Sequence, residues 1–157
     1  MKQFEPEPQS DILRLDEPSL LGFARLNSSS ELRVFVPHTT FELTRTALTA
    51  IAEFSRNLDA RVTLVAVMVV PFPLPLDHPD VAPEFLEQRL TEAAREIDAR
   101  VDVQIVVARE RDIGLEQVIP PGSLVVVATK KRLWLTVERR LARSLARAGM
   151  SVGLLAV

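Results

Sequence analysis

Ser123-Leu124-Val125-Val126-Val127-Ala128-Thr129-Lys130-Lys131-Arg132 is the stretch whose reading decides the fold. An apolar run breaks at three cations, and an arginine-rich helical pattern follows. The chain then closes on Val152-Gly153-Leu154-Leu155-Ala156-Val157. Strand, turn, helix, strand is a βαβ unit, because parallel strands need a crossover between them. The helix is expected to bury Val137, Leu141 and Leu145, with Ala142, Ala146 and Ala148 allowing close approach to the sheet and Gly149 ending it. Arg139, Arg143 and Arg147, beside Arg140, read as its solvent face. Ligands of such sheets sit where strand hands over to helix, here Thr129 to Leu135. That segment has no glycine and one tryptophan, Trp134, whose neighbours Leu133 and Leu135 favour filling the cleft over stacking on a base.

Working upstream, Leu32 to Val36 is a strand closed by Pro37, and Arg61 to Val70 and Val101 to Ala108 are two more. Their continuous apolar character suits strands covered on both faces. Between the first two, Phe41, Leu48, Ile51 and Leu58 recur near helical spacing, with Ala47 and Phe54 widening the stripe. Thr39 and Glu42 form a capping-box pattern, and Thr39 and Thr40 read first as helix caps. Five prolines between 71 and 83 predict a stiff extended loop. Pro83 then suits a first helical position, and Leu86, Leu90, Ala93 and Ile97 line that helix's inner face. Gly114 to Ile119 allows one short helix before Pro120-Pro121-Gly122. With Ser123 to Ala128 and Ser151 to Val157, five strands alternate with four helices. The expectation is a doubly wound five-stranded parallel sheet in an α/β/α sandwich over residues 31–157. Residues 1–30 read as an N-terminal arm or linker, with Leu20, Leu21, Phe23 and Leu26 as a short apolar element and Asn27-Ser28-Ser29-Ser30 as a turn.

The chain has 157 residues, no cysteine and a net charge of −2. Disulfides, thiolate chemistry and cysteine-ligated metal are excluded. Near-neutral charge gives no field to recruit nucleic acid or acidic lipid, so neither a nucleic-acid partner nor membrane insertion is expected. Met1 to Ser10 is acidic and proline-bearing, unlike a signal peptide, and Val62 to Leu76 is short of the ~20 residues of a spanning helix. A cytoplasmic protein is the expectation.

Val34-Phe35-Val36-Pro37 leading into Thr44-Arg45-Thr46-Ala47-Leu48, the strand Val65 to Pro71, and Leu124 to Thr129 together resemble a universal stress protein domain from Leu32 onward. The resemblance implies strand order 3-2-1-4-5 in an adenine nucleotide alpha hydrolase-like sandwich, with dimerisation through the last strand. Many members bind ATP with an aspartate after strand 1 and a glycine-rich turn after strand 4. At the matching positions this chain has Thr39 and Thr40, then Ala128, Lys131 and Leu141, with Ala142 in place of a serine. Phosphate needs close main-chain amides and positive φ, which glycine supplies. The degenerate nucleotide-site positions are therefore Thr39, Ala128, Thr129, Lys130 and Lys131, and no cofactor is expected, ATP being the alternative. Similar domains also occur as cytosolic modules of amino-acid permeases and ion exchangers.

The leading expectation is a non-catalytic regulatory or protein-interaction domain. One alternative is a nucleotide-binding stress protein that holds phosphate through Lys130 and Lys131; another is an accessory module of an amino-acid or ion transporter. A homodimer through the C-terminal edge strand is expected, since a Val- and Leu-rich edge must be paired or covered. A protein partner could dock on residues 1–30 or on the 71–83 loop. His38 and His78 with Asp77 and Asp80 lack the spacing of a metal site, and none is expected. No Ser/His/Asp elbow is legible, so no catalytic residue is assigned.

Overall fold

The computed structural model describes residues 12–14, 32–55, 60–97, 99–131 and 136–157. In chain order the elements are β1 (Ile12–Arg14), β2 (Leu32–Pro37), α1 (Phe41–Ser55), β3 (Ala60–Val69), α2 (Pro83–Arg95), β4 (Val101–Ala108), α3 (Arg111–Val118), β5 (Leu124–Thr129), α4 (Val137–Arg147) and β6 (Ser151–Ala156). They build one sheet in the order β1-β6-β5-β2-β3-β4 with every pairing parallel. Counted without β1, this is the expected 3-2-1-4-5 order, with four helices among the described residues.

Alternation along each strand divides the core in two. Val34, Val36, Val62, Leu64, Leu124, Val126 and Ala128 face α1 and α2, where Leu43, Leu48, Ile51 and Leu90 cover them. Phe35, Val65, Val125, Val127 and Val152 point the other way, onto Leu115 of α3 and Leu141, Ala142 and Leu145 of α4. All six residues of β5 are buried, as a central strand between two helical layers requires. Each fully buried leucine contributes roughly 2–3 kcal/mol of apolar burial before entropy is counted. Gly114 lets α3 lie against β3, because a Cβ there would meet Val67 Cγ1 at 2.8 Å. Gly149, at φ +91°, ends α4 with Met150 N–H donating to the Leu145 carbonyl at 3.2 Å.

Four expectations need correction. The outermost strand is β1, not the C-terminal strand: Ile12, Leu13 and Arg14 lie in register with Val152, Gly153 and Leu154. Phe41 and Val137, read as inward-facing, are 39% and 62% exposed, each being the first residue of its helix. The capping residue of α1 is Thr40, whose Oγ1 accepts from Leu43 N–H at 3.2 Å; helix start at Phe41 leaves Thr39 and Glu42 out of capping-box register. The proline-rich loop is folded back rather than extended, with turns closed by Leu74 N–H to the Pro71 carbonyl and His78 N–H to the Pro75 carbonyl. Leu58, Arg132, Trp134 and the apolar element at 20–26 fall outside the described residues.

Candidate functional site

β2 and β5 pair at Val34↔Leu124 and Phe35↔Val125, after which β2 continues with β3 as far as Pro37↔Val65 and β5 with β6 as far as Thr129↔Ala156. Neighbouring strands thus lead away in opposite directions from one carboxyl-end crevice, the topological switch point of the sheet. The helices α1 and α4 start on either side of it.

On the β2 side, His38 N–H donates to the Val65 carbonyl at 2.7 Å, and its Nδ1 lies 2.9 Å from Oγ1 of the buried Thr44. Burial, and secondarily the Arg111 guanidinium, hold the imidazole pKa below the usual histidine range. A neutral imidazole therefore closes this side. The Phe41 ring meets His38 edge-on, centroids 4.9 Å apart, and Arg89 lies over Phe41 at 4.5 Å.

On the β5 side, Ala128 and Thr129 are buried within the strand. Thr129 Oγ1 lies 2.8 Å from Thr136 Oγ1, which caps α4 by accepting from Arg139 N–H at 3.2 Å. The half-exposed Lys130 ammonium is 3.7 Å from the Glu42 carboxylate in the first turn of α1. Lys131 has an exposed side chain, but its amide is committed: Lys131 N–H donates to the Val157 carbonyl at 2.7 Å, and Val157 N–H donates to the Thr129 carbonyl at 2.8 Å. Leu141 and Ala142, which spacing aligned with a phosphate turn, sit a turn inside α4, buried against the sheet.

The structure thus sets the ends of β2 and β5, with Thr39, Ala128, Thr129, Lys130 and Lys131, around one crevice. Of the main-chain donors there, the Lys131 amide is engaged within the chain. One polar atom differs: Arg139 Nε, in the first turn of α4, is buried without a hydrogen-bond partner among the described residues. Among those residues no group of three or more His, Cys, Asp or Glu could hold a metal.

No protein-family model matches the chain, and no curated protein matches it. Solved structures do. The universal stress protein from Archaeoglobus fulgidus superposes with TM-score 0.57 at 14% identity, over 83% of this chain and 98% of that one. A universal stress protein solved in complex with cAMP superposes with TM-score 0.51 at 13% identity, over 82% and 97%. The fold is that of the universal stress proteins. Identity this low carries architecture and nothing finer.

Sequence reading passed over Arg109, at the end of β4. Its Nη1 donates to the carbonyls of Val70, Pro71 and Leu74 at 3.1, 3.3 and 2.6 Å, and its guanidinium lies 4.0 Å from the Phe72 ring centroid. The only signal was an arginine, followed by Glu110 and Arg111, closing an apolar strand. The Lys131–Val157 bonds had none, because they are main chain to main chain.

Proposed function

We propose that this chain is a non-catalytic domain of universal stress protein type that acts in the cytoplasm through protein contacts, its phosphate turn replaced. The observation that supports this reading is the committed Lys131 amide just after β5. In that glycine-free turn the Lys131 amide already serves the Val157 carbonyl and is not free for a phosphate oxygen. A protein partner is favoured by the 71–83 loop: Phe72, Leu76 and Val81, with Phe85 just beyond, are 80, 41, 52 and 59% exposed, a concentration of apolar surface held in place by Arg109. Such a domain could serve a transporter as a separate subunit, and among the described residues no helix is long and apolar enough to cross a membrane. Self-association through β6 belongs to this proposal only with β1 displaced, since β1 lies on that edge.

Isothermal titration with magnesium-ATP, ADP and cAMP tests the reading, cAMP because one structural neighbour was solved with it. No binding heat is expected up to about 1 mM ligand, weaker than about −4 kcal/mol. A micromolar site would overturn it. The second reading, phosphate held by Lys130 and Lys131, is favoured by Arg139 Nε in the first turn of α4, the helix that follows them, which has no hydrogen-bond partner among the described residues. Under that reading the titration gives a site that the double variant Lys130→Ala/Lys131→Ala abolishes.

A further inference from the structure

The sheet has two rims. One carries β1; the other is β4, which among the described residues pairs with β3 alone. Val62 N–H donates to the Arg100 carbonyl at 3.3 Å and Val70 N–H to the Ala108 carbonyl at 2.9 Å. The register is unbroken from Val62↔Val101 to Val69↔Ala108. The even-numbered residues of β4 therefore turn their main-chain groups to β3, and Val101, Val103, Ile105 and Val107 turn theirs outward. This rim is not blunted. It is eight residues long without proline or lysine, and its one charge, Asp102, lies 3.8 Å from Arg61 on the neighbouring strand. Only Ala108 of β4 is buried, whereas all six residues of β5 are. An open, largely apolar strand of this length is a template for pairing with another strand.

We infer that the outer side of β4 is a pairing surface, and that its occupant is β4 of a second copy of this chain, antiparallel about a twofold axis. The outward groups restrict the register, because odd-numbered residues must face odd-numbered ones to bond. With Ile105 opposite Ile105 of the second copy, Val103 faces Val107, and just past the strand ends Arg100 faces Glu110. Both of these charged residues are exposed, and neither has an ion pair among the described residues. Opposite charges directly across a ladder favour a pairing, and like charges oppose it. A slip to the next allowed register sets Asp102 against Glu110; a slip the other way sets Arg100 against Ala108. Charge thus selects one register from those that main-chain bonding permits. The pairing leaves β1 and β6 as they are and does not depend on nucleotide, so it stands or falls separately from the reading above.

Light scattering on size-fractionated protein at about 50 µM tests it, with far-UV circular dichroism as the check on folding. The intact chain is expected at twice the mass of one 17.5 kDa copy. Arg100→Glu sets a glutamate against Glu110, and Glu110→Arg sets an arginine against Arg100, so each alone is expected at the mass of one copy. The double variant Arg100→Glu/Glu110→Arg restores opposite charges and is expected to dimerise again. Ile105→Pro removes an outward donor without removing a bond to β3, and it should also be monomeric. In the dimeric parent the Val103 and Ile105 amides should be protected from exchange, and in Arg100→Glu they should exchange freely. A monomeric intact chain, single variants that stay dimeric, a double variant that stays monomeric, or open-ended aggregates would each overturn the inference.

Discussion

His38 is the residue on which the β2 side of the crevice turns. Its backbone amide extends the β2–β3 ladder, and its ring bridges to Thr44, so strand end and helix α1 are joined through one side chain. Because burial and Arg111 lower its pKa, the folded protein resists a proton that the unfolded chain accepts near pH 6.5. The sign follows: above about pH 6.5 both states are neutral at this position, and stability falls as pH drops through 6.5 toward the lower folded value. We expect the urea midpoint to fall between pH 7.5 and 5.5, and to fall less in His38→Asn, whose amide can still reach Thr44. An identical pH slope in the variant would contradict the assignment. Thr44 shows why the site was only half legible. In sequence it sat among the polar positions of α1, yet it is 4% exposed, which required knowing that a histidine ring lay opposite.

The elements were legible wherever burial on both faces writes itself as an apolar run. β4 spans Val101–Ala108 as expected, and the neighbouring strands shift by one residue at their ends. Periodicity failed at helix starts, since Phe41 and Val137 extend the stripe by spacing but, as the first residues of their helices, stay exposed. It failed also for the proline-rich loop. Proline content restricts φ without fixing the course of the chain, and the deciding interaction comes from Arg109, 35 to 39 residues away in sequence. Replacing that arginine leaves three carbonyls without their shared donor. We expect Arg109→Met to destabilise by about 1–3 kcal/mol, to make the 71–78 segment the first site of cleavage in limited proteolysis, and to leave the rest of the digest unchanged. Equal protease resistance in the variant and the parent would mean the loop holds itself.

For the whole molecule, the parallel sheet followed from handedness and element alternation and its strand order from the resemblance to universal stress proteins, and a 14% identical neighbour shares that fold over 83% of the chain. The added strand β1 was not legible: three residues among prolines and acids carry no period, and only the finished β6 edge gives them a partner. The crevice was located from topology, and its loss of glycine was plain. What sequence could not reveal was the substitute, a main-chain closure between the end of β5 and Val157. That closure is the centre of the functional account, and amide hydrogen exchange at Lys131, read by NMR, examines it directly. The account predicts a Lys131 amide protected from exchange, with its shift and protection unchanged by about 5 mM magnesium-ATP, far above the ligand level a micromolar site would need. A freely exchanging Lys131 amide that becomes protected or shifts on adding nucleotide would contradict it.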